Sequence, residues 1–190
     1  YKPVESGCLP AGDSLMAADA QTLWEAAGGP GELADVCPQR FDAPLAPPQA
    51  AAREGKSVDA ELLRRGMEYW NDRADFVLVE GAGGLMSPLS AKDYNADLAD
   101  DLGLPLVIVA TNELGVINAT LQTIITARAV APTLPIAGVV LNQTVLRTED
   151  QSVVDNAAQL LEHSNVPLLA TVDFQQQDFQ APVDWFELGQ

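Results

Sequence analysis

Short apolar runs alternate with helix-like stretches along the chain, and this rhythm constrains the fold more than any other feature. The runs cover residues 76–79, 106–110, 136–141 and 166–172, and valine, leucine and isoleucine dominate them. Continuous apolar runs of this length suit strands buried on both faces of a sheet. Helical patterns lie between them. Leu63, Met67 and Trp70 recur at i, i+4 and i+7 behind a cap at Ser57 or Asp59. Residues 95–102 form a short helix closed by Gly103, and a longer one runs from the 111–115 turn to about residue 131. Residues 150–163 make another helix, with Val153, Val154, Ala157, Leu160 and Leu161 predicted to face inward. Strand–helix alternation implies an α/β fold with a mainly parallel sheet and helices on both faces. At 190 residues the chain suits a single domain, 1–190.

From Val36 to Gln49 the four prolines 38, 44, 47 and 48 predict an ordered loop or linker without regular structure. The opening residues, Tyr1-Lys2-Pro3-Val4, read as the end of a strand already in progress. No apolar run approaches the ~18 residues needed to span a bilayer. Neither Cys8 nor Cys37 has metal-ligand spacing, which points to a reduced, cytoplasmic setting.

A parallel sheet gathers its chemistry at the carboxyl ends of its strands. Those ends fall at Val4, Glu80, Ala110 and Asn142. The sharpest of them is Val79-Glu80-Gly81-Ala82-Gly83-Gly84, where a carboxylate meets three glycines in four positions. Glycines there let backbone N–H groups approach an anion without a Cβ in the way. Lys2, Ser6, Glu80, the glycines at 81–84, the 111–115 turn and Asn142 are therefore predicted to share one edge. Asp19 stands inside a helix, as a solvated side chain or as a ligand. An Asp and a Glu at such an edge suit Mg²⁺ between phosphate oxygens.

The formal charge of −17, from 27 acidic and 10 basic residues, argues against nucleic acid and anionic membrane surfaces as partners. An anionic substrate must then be held by local N–H groups, Lys2 or a metal ion. Other chemistries find no support. The single histidine, His163, lies in the last turn of a predicted helix and not beside a candidate nucleophile. No Gly-x-Gly-x-x-Gly dinucleotide fingerprint occurs.

These residues resemble the ATP-dependent dethiobiotin synthetases. Lys2-Pro3-Val4-Glu5-Ser6-Gly7 is similar to their Lys-Pro-Val-x-Ser/Thr-Gly motif, and residues 79–84 with Pro88-Leu89 to their Val-Glu-Gly-Ala-Gly-Gly loop. Leu114-Gly115-Val116-Ile117-Asn118, with Leu121 and Thr123, is similar to a third segment, and Gly138-Val139-Val140-Leu141-Asn142 to a strand ending in asparagine. Asp19 stands at the spacing from Lys2 of the family's first-helix aspartate. The resemblance spans nearly the whole chain.

It implies a P-loop NTPase-like, three-layer αβα fold and a ligase that makes a cyclic urea from 7,8-diaminopelargonate and CO₂. A carbamate and a carbamic–phosphoric anhydride are the implied intermediates. It further implies ATP as co-substrate, Mg²⁺ as cofactor and a homodimer. Lys2 and Ser6 would be catalytic, with Ser6 also beside the reacting amine. Asp19 and Glu80 would hold the metal. Glu80, Gly81, Gly83, Gly84 and Asn142 would bind the nucleotide, Asn142 at the adenine edge. Gly84, with Gly115, Val116, Ile117 and Asn118 from the second subunit, would bind the diamine and its distant carboxylate.

The family's Gly-x-x-x-x-Gly-Lys-Ser/Thr loop occurs nowhere in the 190 residues. It is expected upstream of Tyr1, in a strand–loop–helix unit of about 30 residues. The 190 residues alone are expected to turn over poorly without it. Pro48 stands where the family usually shows a histidine, which bears on diamine specificity. Two alternatives share much of this pattern: a related superfamily ligase acting on another substrate, and a non-catalytic binding module without a P-loop.

Overall fold

The computed structural model describes residues 1–146, 150–177, 179 and 181–189. The chain separates into two compact units, Tyr1–Leu102 and Gly103–Gln190.

The first unit opens with β1 (Val4–Ser6), followed by a hairpin of β2 (Leu9–Ala11) and β3 (Ser14–Met16), then α1 (Ala18–Ala26) and α2 (Leu33–Val36). Next come β4 (Gln39–Phe41), α3 (Pro47–Arg53), α4 (Ala60–Glu68) and α5 (Asn95–Leu102). Strands β1 and β4 pair in parallel, with Val4 opposite Gln39 and Ser6 opposite Phe41. Two apolar clusters hold the unit. One gathers Tyr1, Cys8, Ala17, Ala20, Cys37 and Trp70. The other gathers Val4, Phe41, Ala50, Leu63, Leu89 and Leu98.

The stretch 36–49, predicted to lack regular structure, instead holds β4 and the start of α3. Pro47 and Pro48 occupy the first two positions of α3. There their missing N–H groups cost nothing, because the first helical N–H groups have no intrahelical acceptor, and the fixed φ of proline favours the helix start. Of the two candidate caps for α4, Asp59 is used: its carboxylate accepts from Glu61 N–H at 3.0 Å and Leu62 N–H at 2.9 Å. Of the predicted i, i+4, i+7 set, Leu63 of α4 is buried in the second cluster and Met67 packs on the first, while Trp70, buried in that first cluster, follows the end of the helix at Glu68.

The run at 76–79 is extended chain and not a strand buried on both faces. Val77 and Val79 pack on the Tyr1 cluster, whereas Phe76 and Leu78 are exposed. Its backbone meets Tyr1, whose nitrogen donates to the Leu78 carbonyl at 2.6 Å and whose carbonyl accepts from Glu80 N–H at 2.9 Å. That is one rung of a parallel pairing, too little to build a ladder.

The second unit contains β5 (Leu106–Thr111), α6 (Val116–Val130), β6 (Ile136–Asn142), α7 (Ser152–His163), β7 (Leu168–Val172) and α8 (Trp185–Leu188). The sheet order is β5-β6-β7, all parallel, with Thr111 opposite Asn142 and Asn142 opposite Val172. Its core joins Ile108, Val139 and Leu141 of the sheet to Val116 and Ile124 of α6 and Leu160 of α7. Both helices thus cover the same sheet face. Within this unit the predicted two-sided burial of residues 106–110 is absent: Ile108 is buried, but Val109 is 65% exposed. Helix α7 also differs from its predicted face. Leu160 is buried beside Asn156, while Val154 and Leu161 point to solvent, because the helix is rotated to bring Asn156 under the 111–115 turn.

Candidate functional site

In the first unit, the bend before β1 carries Lys2 into the interior, with 3% of the residue exposed. Its ammonium donates to Glu80 Oε1 at 2.5 Å and to the Gly81 carbonyl at 3.1 Å, and lies 3.3 Å from Asp19 Oδ2. Burial pulls the lysine pKa down. The hydrogen bond and charge of Glu80, followed by Asp19, outweigh this and leave it above the ordinary value of 10.5. Lys2 is therefore a fixed cation at neutral pH and not a proton acceptor.

The two carboxylates that clasp Lys2 are themselves open, with 46% of the Glu80 side chain and 62% of the Asp19 side chain exposed. They leave oxygen atoms facing solvent, the donor chemistry a hard divalent cation needs. Among the described residues no group of three or more His, Cys, Asp and Glu is arranged around a metal position. The fit to Mg²⁺ is thus a two-carboxylate one, which that ion uses when phosphate and water complete its shell.

The glycine loop after Glu80 is organised from within by Asn95, the first residue of α5. Asn95 Nδ2 donates to the carbonyls of Ala82 at 3.0 Å and Gly84 at 2.8 Å, and its Oδ1 accepts from Ala82 N–H at 3.2 Å. Gly84 N–H is engaged by Ser87 Oγ at 2.9 Å. Gly81 and Gly83 have no room for a Cβ, which would strike Asn95 and Ser87 respectively. A Cβ on Gly84 would meet nothing, so this exposed residue is open to a ligand. Ser6 donates its hydroxyl to the Leu45 carbonyl at 2.6 Å.

In the second unit, the ends of β5 and β6 lie side by side, with Asn112 N–H donating to the Asn142 carbonyl at 2.9 Å. The turn between β5 and α6 has Gly115 as its left-handed cap residue, at φ 101°. Val116 is buried there, Ile117 half-buried and Asn118 exposed. A cavity of about 400 Å³ lies against this turn, lined by β5, Gly115, Val116, Ala119 and Thr123, with the buried, unpartnered hydroxyl of Thr120 on its wall. A polar set holds the turn. Asn156 Nδ2 donates to Asn112 Oδ1 at 2.8 Å and to the Glu113 carbonyl at 3.3 Å, and Asp150 Oδ2 accepts from Leu114 N–H at 3.0 Å.

Lys2, Asp19, Glu80 and Gly81 are thus brought together in one unit, and the Gly115–Asn118 turn and Asn142 stand at neighbouring strand ends in the other. Sequence reasoning missed the residues that hold these groups: Glu5, Asn95, Asn112, Asp150 and Asn156. Asn95 and Asp150 carry a readable signal, since each opens a predicted helix.

Among the described residues no helix is long and apolar enough to cross a membrane. A family profile described as an AAA domain matches residues 1–178. An ATP-dependent dethiobiotin synthetase BioD of Rhodopirellula baltica is 43% identical over 183 residues, covering 90% of this chain and 70% of the relative. One from Anaeromyxobacter dehalogenans is 43% identical over 159 residues, covering 84% and 68%. One from Bacillus thuringiensis is 35% identical over 182 residues, covering 94% and 72%.

Proposed function

The chain belongs to the AAA domain family and to the ATP-dependent dethiobiotin synthetases, and from that premise we propose that it closes a cyclic urea from 7,8-diaminopelargonate and CO₂ with ATP as co-substrate. The observation that carries the reading is Lys2, a buried ammonium clasped by two open carboxylates beside a glycine loop.

In the reaction one amine adds to CO₂ and loses a proton, giving a carbamate. A carbamate oxygen takes the γ-phosphoryl group of ATP, and ADP leaves. The second amine then attacks the carbamoyl carbon, and phosphate leaves as the ring closes. Negative charge develops at both stages, so catalysis is mainly positioning and charge neutralisation. Lys2 suits that task because its raised pKa keeps it protonated throughout. Ser6 hydrogen-bonds near the reacting amine, its oxygen still able to accept while its proton goes to Leu45. Gly81, Gly83 and Gly84 line the nucleotide and diamine side, where Gly84 is open to contact. Asp19 and Glu80 would hold Mg²⁺, which would neutralise phosphate oxygens when bound.

In the second unit Asn142 is assigned to the adenine edge. The N–H groups of Gly115, Val116 and Ile117, with the Asn118 side chain, are assigned to the distant carboxylate of the diamine, across a homodimer. The start of a 15-residue helix is a natural anion site. Residues 1–190 are read as part of one catalytic α/β domain, working in the cytoplasm.

The test supplies the full natural protein with diamine, ¹³C-bicarbonate and Mg²⁺-ATP and follows labelled cyclic urea by mass spectrometry. Diamine-dependent ADP release with label in the product is expected. ADP release that instead requires ammonia or glutamine would overturn the reading.

A further inference from the structure

Glu5 occupies the unspecified position of the Lys-Pro-Val-x-Ser/Thr-Gly pattern, yet it is 6% exposed and both its carboxylate oxygens are engaged. Oε1 accepts from Asp19 N–H at 3.0 Å and Oε2 from Ala20 N–H at 2.9 Å. Asp19 and Ala20 are the second and third residues of α1, the positions whose N–H groups a helix cap satisfies. The residue at the cap position, Ala17, makes no side-chain cap hydrogen bond. Glu5 supplies the cap from a strand 14 residues away in sequence. A carboxylate at a helix N-terminus gains from the macrodipole as well as from two charge-assisted hydrogen bonds.

Asp19 is thereby held twice from one short segment. Glu5 fixes its backbone, and Lys2, three residues earlier, binds its carboxylate. We propose that Glu5 is a positioning residue for the metal site: it clamps the first turn of α1 to β1 so that the Asp19 carboxylate stands beside Lys2 and Glu80. The inference rests on the reading of Asp19 as a metal ligand. It predicts that metal affinity, and not only stability, depends on Glu5.

Replacing Glu5 by Gln keeps the shape but turns an N–H₂ group towards one of the two N–H donors. Replacing it by Asp keeps the charge but shortens the reach. Mn²⁺ binding to the full natural protein, read by electron paramagnetic resonance in the presence of a non-hydrolysable ATP analogue, tests the role. Thermal unfolding of the same variants is recorded alongside. Glu5→Gln is expected to weaken Mn²⁺ binding about 10-fold, as loss of a group supporting a metal ligand does, and Glu5→Asp by less. Leu160→Ala, in the core of the other unit, serves as a control that lowers stability and leaves Mn²⁺ binding unchanged. If Asp19→Asn weakens binding while Glu5→Gln and Glu5→Asp bind as the parent does, the clamp is overturned and Glu5 is a helix cap alone. If Asp19→Asn binds as the parent does, the metal reading itself falls, and this role for Glu5 with it. If Glu5→Gln does not fold, Glu5→Asp decides: parental Mn²⁺ affinity overturns the clamp, and weakened affinity supports it.

Discussion

The hydroxyl of Tyr1 rests against the backbone of α4 at Gly66, donating to the carbonyls of Leu62 at 3.0 Å and Leu63 at 3.2 Å. A Cβ at Gly66 would lie well inside 3.0 Å of that hydroxyl oxygen. Gly66→Ala should therefore destabilise the protein by about 2 kcal/mol, although alanine is intrinsically the better helix former by about 1 kcal/mol. Urea denaturation reads the outcome, and a more stable variant would show that Tyr1 moves aside freely.

Lys2→Met removes the cation between Glu80 and Asp19 while keeping most of the buried stem. Activity should fall by about 100-fold or more, as when one preorganised charge-stabilising donor is deleted. ADP release under saturating substrates measures this. Retained turnover would mean that the ammonium serves packing alone.

Asn156 is buried and bonds both Asn112 and the Glu113 carbonyl. Asn156→Leu takes the donor from the buried Asn112 side-chain oxygen, while the Glu113 carbonyl keeps Val116 N–H at 3.1 Å, and this should cost about 1–3 kcal/mol. It should also loosen the turn before α6. In the proposed reaction that loss appears as a raised KM for the diamine with kcat much less affected, checked by steady-state kinetics on the stable fraction.

Cys37 is fully buried, and burial, aided by the nearby charge of Glu5 and opposed by Arg40, pushes its thiol up to about 12 from an ordinary 9.0. Its folded pKa lies above its unfolded one, so the folded chain holds the proton more tightly. The associated stability is fully present below pH 9 and is lost as pH rises through 12. Cys37 should resist thiol reagents at pH 8 in the native protein, and Cys37→Ala should flatten the fall in stability between pH 9 and 12. Rapid labelling at pH 8 without unfolding would contradict this burial.

Much of the second unit was legible in the sequence. The runs at 106–110 and 136–141 became β5 and β6, and the breaks at Gly103 and Gly115 sit where glycine adopts φ of +63° and +101°. Those features are local: a strand's composition and a left-handed turn are written in adjacent residues. The prolines of residues 36–49 predict a loop because proline breaks a helix interior, whereas Pro47 and Pro48 stand at a helix start, where proline is favourable. Val154 and Leu161 misled because an apolar side chain does not announce which face of a helix is covered.

For the site, the sequence by itself determined which chemical groups could act: Lys2, Asp19, Glu80, the glycines and the Gly115–Asn118 turn stand in motif order. What only the tertiary structure decided is how they are held. Lys2 meets Glu80 across 78 residues, Glu5 reaches α1 across 14, and Asn156 reaches Asn112 across 44. No periodicity encodes such pairings. Each exists because a buried polar or charged group must find a partner in space, and the packing of the cores determines which one is within reach.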